Sequence, residues 1–356
     1  MPRVDMLGKS TGTAQFGIDT RVEGMKFATV RMNPRLGGPL VSLDTGAADT
    51  MAGVEKIIKL DGGFAVVATN TWLAFQAADA VEAEWGEAPY PHEQDAIWAA
   101  IEESFNTKPN SVLRDDGNVD TTLTGATEIS AEYRMPFLAH STMEPMNATA
   151  LFTGDALELW CGNQAPTAMR DHCAEVVGLD ADNVTVHTTL MGGGFGRRTE
   201  LDYGLIATKV AKEMQGTPVQ VTWTREEDMA HDTYRPAAIG RYRGAIKDGK
   251  AVLLDAKMAG PSVTASAMDR LFGFAPSGAD KGHVEGAFDQ PYKIPNYRMA
   301  GHITDMKIPL GFWRSVGNSV NAFMHDSFLD ELAHAAGADP LEFRLDMMRS
   351  EHAPSA

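Results

Sequence analysis

The stretch Met191-Gly-Gly-Gly-Phe-Gly-Arg-Arg-Thr-Glu200 decides how the rest of this 356-residue chain is read. Four of the five residues from Gly192 to Gly196 are glycine, so the backbone there can approach a neighbour closely and take conformations closed to other residues. The alternation of Val184 to Thr188 predicts a strand before it, and the pattern from about Leu201 to Met214 predicts an amphipathic helix after it, stopped by Gln215-Gly216. A glycine turn that opens a helix aims free N–H groups and the positive end of the helix dipole at one spot, which favours an anion. Arg197 and Arg198 add fixed charge. Counted from Gly192, the last position of a Gly-x-Gly-x-x-Gly fingerprint falls on Arg197, and no Gly-Lys-Ser/Thr follows, so neither a dinucleotide fingerprint nor a P-loop is present. Taken alone, the run reads more readily as a tight strand-to-helix turn that needs positive φ.

On the N-terminal side, residues 1–85 read as a small α/β unit. Phe27–Val30, Ile57-Ile58 and Phe64–Val67 are short apolar strand candidates between Gly and Pro turns. Asn70 to Val81 reads as a helix with Trp72, Phe75 and Ala78 on one face, and Val81 to Trp85 as a closing strand. Residues 86–121, with Pro89, Pro91, Pro109 and the turn Asp115-Asp116-Gly117, read as a connecting segment holding one helix from Glu93 to Phe105. From 122 to 356 a larger domain follows. Its predicted strands are Glu128–Tyr133, Leu157–Trp160, Val184–Thr188, Pro218–Trp223, Ile239–Ile246 and Ala251–Met258. Its predicted helices are Thr167–Val177, ended by Gly178, and Ala322–Ala336, ended by Gly337. Another starts at Pro340 behind an Asp339 cap, with Glu342 completing a capping box.

Composition narrows the functional classes. The chain is 44% hydrophobic and 22% charged, as folded globular proteins are. Its net charge of −17, from 48 acidic against 31 basic residues, would repel nucleic-acid phosphates, so no nucleic-acid partner is expected. Two cysteines, Cys161 and Cys173, are too few for a four-thiolate Fe–S cluster and leave room for a single disulfide at most. The N-terminus has no apolar run of the kind a signal peptide carries, and no stretch reaches 18 apolar residues.

Three further runs carry candidate chemistry. In Phe137-Leu-Ala-His-Ser-Thr-Met-Glu-Pro-Met-Asn-Ala148, His140 and Glu144 suggest a metal pair at i, i+4. Pro145 argues against a continuous helix and no third ligand is evident, which favours a structural histidine. Trp160-Cys-Gly-Asn-Gln-Ala-Pro166 sets Gln164 between a strand and a Pro-started helix, where it either presents its amide from a rigid position or caps the helix. Pro309-Leu-Gly-Phe-Trp-Arg-Ser-Val-Gly-Asn318 suits a pocket wall with an oriented guanidinium, or plain packing.

Together these runs resemble the molybdenum-binding large subunit of the xanthine dehydrogenase/aldehyde oxidase superfamily, most closely its isoquinoline 1-oxidoreductase β-subunit and membrane-associated aldehyde dehydrogenase branch. The resembling stretches are Lys9–Asp19 (KSTGTAQFGID), His140–Asn147 (HSTMEPMN), Gly192–Arg198, Tyr292–Tyr297 (YKIPNY) and Gly311–Gly317 (GFWRSVG), in family order along essentially the whole chain. The resemblance implies an α+β fold, with an α/β hammerhead domain over 1–85 and the first molybdopterin-binding domain over 122–356.

It also implies an oxidoreductase that oxidises an aldehyde or N-heteroaromatic compound with water as oxygen source and passes electrons to a [2Fe–2S] partner. Gln164, Phe195 and Arg314 match residues placed about the molybdenum and are the expected catalytic residues, with no protein side chain binding the metal directly. Gln164, Gly193, Gly194, Phe195, Gly196, Arg197 and Arg314 fall to the cofactor, expected in its cytosine dinucleotide form, with no Fe–S cluster on this chain. Val316 stands where the family's Arg-Gly-Phe-Gly run has an aromatic, and with Glu200 is assigned to the substrate pocket; the change to Val argues against purine-like stacking. The family's general base, a glutamate in a Gly-x-Gly-Glu loop, has no counterpart, since the one Gly-Glu pair is Gly86-Glu87. The expected partners are therefore the C-terminal half of a large subunit, a [2Fe–2S] small subunit and a cytochrome c, in the periplasm, although no targeting signal is present. The competing expectation is a truncated, non-catalytic remnant or scaffold without cofactor.

Overall fold

The computed structural model of the chain describes residues 3–121, 123–276 and 278–349. The chain divides into two compact units, each drawn from two stretches of sequence: Met1–Pro89 with Ala139–Thr233, and Tyr90–Leu138 with Tyr234–Ala356. Both combine helices with mixed or antiparallel sheet, the α+β class expected.

The first unit is built on a seven-stranded sheet in the order Val184–Thr188, Leu157–Cys161, Asn147–Phe152, Val219–Thr222, Lys26–Met32, Gly63–Ala68, Val54–Leu60. Its seam is the parallel pairing of Lys26–Met32 with Val219–Thr222, in register Lys26↔Val219 through Ala28↔Val221. One sheet is thereby continuous from the N-terminal stretch into the stretch that carries the glycine run. Gly63–Ala68 is buried at every position, consistent with its unbroken apolar sequence. At the edge, Val54–Leu60 buries Ile58 and Leu60 and exposes Glu55 and Lys59, charges that blunt the edge against further pairing.

Helices cover the sheet. Thr71–Asp79 is capped by Asn70, whose Oδ1 accepts the Leu73 N–H at 2.9 Å. Its buried residues are Ala74, Ala77 and Ala78, while Trp72 is 66% exposed. The expected Trp72–Phe75–Ala78 inner face is thus rotated: the small alanines lie over the strands, close enough to pack on Phe64 and Val66. Pro166–Val177 starts on its proline and ends in a left-handed Gly178, φ 76°. Asp202–Glu213 buries Tyr203, Ile206, Ala207, Val210 and Ala211. Both cysteines are buried and unbridged, and burial pushes Cys173 up to about 11.

The second unit carries a five-stranded sheet in the order Ser111–Asp116, Asn296–Ile303, Lys250–Gly260, Ala238–Lys247, Thr127–Met135. All pairs are antiparallel except Lys250–Gly260 with Asn296–Ile303. Ser111–Asp116 is a strand inside the segment the sequence reading leaves as a connection, beside a helix at Gln94–Glu103. The long helix Gly317–Ala335 lays Val320, Met324, Phe328 and Leu332 into the core with Tyr242, Leu254, Tyr297 and Met299. After it, Asp339 Oδ1 accepts the N–H groups of Leu341 and Glu342 at 2.9 and 3.1 Å, starting the helix Pro340–Arg349. No helix among the described residues is long and apolar enough to cross a membrane.

Candidate functional site

In the first unit, the glycine run follows the strand Val184–Thr188 but does not open directly into the helix. A 3-10 turn, Arg197–Thr199, intervenes, and the helix begins only at Asp202. The anion-favouring feature is therefore the loop itself rather than a helix terminus. Gly193 (φ 110°), Phe195 (φ 58°) and Gly196 (φ 105°) turn the backbone into the left-handed region three times in four residues. Among the described residues, no acceptor takes the N–H groups of Gly193, Gly194 or Phe195. Three successive unpaired backbone donors in a left-turning loop form a concavity for negative charge.

Gln164 reaches this loop. Its backbone N–H donates to the Arg198 carbonyl at 2.8 Å, and its Oε1 accepts the Gly196 N–H at 3.2 Å. The side-chain NH2 is left as the outward donor on an exposed residue. A Cβ on Gly194 would stand 2.8 Å from Gln164 Oε1, so the absence of a side chain there is what lets the amide lie along the loop. The Phe195 side chain is 43% exposed.

The two arginines do not face outward. Arg198 is fully buried: its Nε donates to the Gly193 carbonyl (2.9 Å), Nη1 to the Gly162 carbonyl (3.2 Å) and Nη2 to Glu144 Oε2 (3.0 Å). Glu144 is the hub of the loop. Its Oε2 also accepts the Gly192 N–H at 2.8 Å, and its Oε1 accepts the Ile18 N–H and the Asn147 Nδ2, both at 3.0 Å. Three of the stretches that carry the family resemblance, Lys9–Asp19, His140–Asn147 and Gly192–Arg198, are thus tied through one carboxylate.

Arg197, 1% exposed, is held bidentately by Asp202 at 2.8 and 2.7 Å and lies 3.2 Å from Asp232. Burial works against its charge, but the Asp202 and Asp232 carboxylates outweigh it and raise the pKa further. Arg198 spends hydrogen bonds on the loop and Arg197 spends its own on Asp202, so what the run offers a ligand is backbone.

His140 and Glu144 do not converge. The His140 ring Nδ1 lies 2.8 Å from Asp232 Oδ1, and its backbone N–H donates to the same carboxylate, while Glu144 faces Arg198. No cluster of three metal-ligating side chains exists among the described residues. Asp232 and Glu144 as clamps are what the sequence reading lacks: neither residue has a spacing signal, because their partners lie 92 and 54 positions away. Glu200 is 4% exposed, next to the 3-10 turn.

Arg314 and Val316 belong to the second unit, where they precede the helix Gly317–Ala335. Arg314 is exposed, and its carbonyl accepts Ser319 Oγ at 2.5 Å. Ser315 (φ 73°) and Val316 (φ 47°) both hold positive φ, a strained conformation for side-chain-bearing residues. Val316 lines a small cavity with Arg235, His283 and Trp313.

Residues 104–348 match the family model described as molybdopterin cofactor-binding domain. A membrane-bound aldehyde dehydrogenase (pyrroloquinoline-quinone) of Gluconacetobacter polyoxogenes is 29% identical over 367 residues, covering 98% of this chain and 47% of that protein. The isoquinoline 1-oxidoreductase subunit beta of Brevundimonas diminuta is 27% identical, covering 97% of this chain and 45% of its own length. The chain spans about half the length of these curated relatives. In fold it is similar to an aldehyde oxidoreductase from Desulfovibrio gigas, with a TM-score of 0.76 at 20% identity over 99% of this chain and 43% of that one.

Proposed function

Because this chain belongs to the molybdopterin cofactor-binding domain family, we propose that it is part of the large subunit of a molybdenum hydroxylase. The reaction would be oxidation of an aldehyde or N-heteroaromatic compound with water as oxygen source. The observation that carries this reading is the loop of three unpaired backbone N–H groups, Gly193 to Phe195, laid beside the Gln164 amide.

The residues present fit an anionic, oxygen-rich cofactor. Gly193, Gly194 and Phe195 would donate backbone N–H groups to it. Gln164, its carbonyl fixed by Gly196, would donate its NH2 to an oxygen acceptor on the group. A molybdenum cofactor bound here would supply the two-electron redox chemistry. The protein's part is to hold it at a fixed loop, with Glu144, Arg198, Arg197 and Asp202 as the frame. We assign Phe195 to contacts beside the cofactor; the roles of Arg314 in cofactor binding and of Val316 in the substrate pocket rest on the family resemblance alone. Arg197, its guanidinium held by Asp202, would contribute to the cofactor site from the end of the glycine run, and Glu200 would border the substrate.

No Gly-x-Gly-Glu occurs in the 356 residues, so the reading places the general base on another stretch of polypeptide. Such a base is commonly worth ~10²–10⁴ in rate. A [2Fe–2S] subunit and a cytochrome c as electron carriers, the cytosine dinucleotide form of the cofactor and a periplasmic location belong to the same proposal and rest on the family resemblance.

The test is to purify the affinity-tagged chain from its native host with whatever accompanies it, and to assay reduction of an artificial electron acceptor. Aldehydes and N-heteroaromatics are offered in turn. Activity with one class, falling at least about tenfold in Gln164→Ala as removal of a positioned donor should, supports the reading. A folded preparation inactive with both classes favours the non-catalytic remnant instead.

A further inference from the structure

A second cleft in the first unit shares no lining residue with the loop and Gln164. It encloses about 780 Å³, within the range of small-molecule sites. Its walls are aromatic. Trp72 and Phe75 project from the helix Thr71–Asp79, and Phe64 and Trp85 stack with ring centroids 6.4 Å apart. Trp72 is 66% exposed at the rim.

The charge in the cleft is one-sided. Arg31 is paired with Asp79 at 2.6 Å and only partly opposes the effect of burial on Glu227. Burial lowers the pKa of His231, which keeps the ring neutral. Glu226 and Glu227 remain, and neither is ion-paired with a lysine or arginine among the described residues. Glu227 is only 8% exposed. Its Oε1 accepts the Met32 N–H at 2.9 Å and lies 3.7 Å from the His231 ring.

Aromatic faces beside a buried carboxylate that lacks a cation complement one chemical class. A neutral aromatic ligand would fill the walls but offer the glutamates nothing, and an anion would be repelled by Glu226, whereas a cation would draw the Glu227 carboxyl, pushed up to about 7 by burial, into its charged form. An ammonium carrying methyl or alkyl groups meets both demands, because its positive charge is attracted to ring faces as well as to the carboxylate. We propose that this cleft binds a small organic ammonium ion. The site is separate from the proposed redox chemistry and stands whether or not that reading holds.

The experiment is calorimetric titration of the full chain with choline and with its neutral isostere 3,3-dimethylbutan-1-ol, alongside tryptophan fluorescence. The expected result is saturable one-site binding of choline with a fluorescence change. The isostere should bind at least about tenfold more weakly, and Trp72→Ala and Glu226→Gln should each weaken choline at least about threefold. Both variants alter exposed side chains, so they retain the fold; Glu227→Gln should cost still more affinity. Equal affinity for the isostere reduces the cleft to an apolar groove and overturns the proposal. So does the absence of saturable binding, or unchanged affinity in Trp72→Ala. A lysine-rich peptide that binds a hundredfold more tightly than choline would also overturn it, assigning the cleft to a protein partner.

Discussion

Arg198 and Glu144, 54 residues apart in sequence, face each other at 3.0 Å in the interior of the first unit, and between them they hold the start of the loop, Gly192-Gly193. Arg198 binds the Gly193 carbonyl and Glu144 the Gly192 N–H. Removing one member of such a buried pair leaves the other charge uncompensated, at a cost of about 3–5 kcal/mol. Glu144→Ala should therefore lower unfolding stability by that order in urea titration; a loss below about 1 kcal/mol would contradict the clamp.

Two glycines of the run should respond differently to alanine. At Gly192 a Cβ would meet the Glu144 Cβ at 2.4 Å and the Glu144 backbone N at 3.2 Å. These atoms cannot move without the clamp, so Gly192→Ala should destabilise by about 2 kcal/mol or more, as overpacking does. At Gly194 the obstructing atom is the far end of the Gln164 side chain, which can swing away. Gly194→Ala should stay within about 1 kcal/mol of wild type in stability yet lose the Gln164–Gly196 hydrogen bond and, with it, bound cofactor. Thermal unfolding and cofactor content, measured on the same samples, separate the two effects.

Ser315 holds φ 73° at the position where the family run has glycine. The left-handed conformation costs a non-glycine residue about 1–2 kcal/mol, and part of any relief is returned through the freer unfolded chain of a glycine. Ser315→Gly should consequently raise the stability of the second unit by about 0.5–1 kcal/mol, read from the denaturant midpoint. Destabilisation would show that the side chain is needed there.

Glu227 sets a pH dependence. Burial pushes its carboxyl up to about 7, against the opposing Met32 N–H bond and Arg31 charge. A carboxyl whose folded pKa lies above its unfolded value binds more protons in the native state between the two values. Its contribution is present in full below about pH 4.5 and is lost as pH rises through about 7. His231, with a lowered pKa, acts in the opposite sense, so the informative quantity is the difference from Glu227→Gln. Wild-type stability relative to that variant should fall by on the order of 3 kcal/mol between pH 4.5 and 7. A flat difference across that window would contradict the assignment.

Local signals in the sequence located most of the elements. Pro166 and Gly178 bracket one helix, Asn70 and Asp339 cap two others, and the apolar run at Gly63–Ala68 is a fully buried strand. What escaped depends on distant pairing. Ser111–Asp116 is a strand only because Asn296–Ile303 lies beside it, and its own composition resembles the turn-rich segment around it. Trp72 looks like a core residue by type, but three alanines claim the inner face of its helix. At the candidate site, the glycine run and Gln164 were legible as motif pieces. The orientation of Arg197 and Arg198 was not, since Asp202, Asp232 and Glu144 turn both guanidiniums inward.

On the proposed function, the loop Gly193–Gly196 with Gln164 holds a molybdenum cofactor. The most direct test is elemental and pterin analysis of the tagged chain, purified folded from its native host grown with molybdate. The account predicts molybdenum and a pterin in near-equal amounts, approaching one of each per chain. Folded protein that carries neither, or that carries pyrroloquinoline quinone in their place, would contradict it.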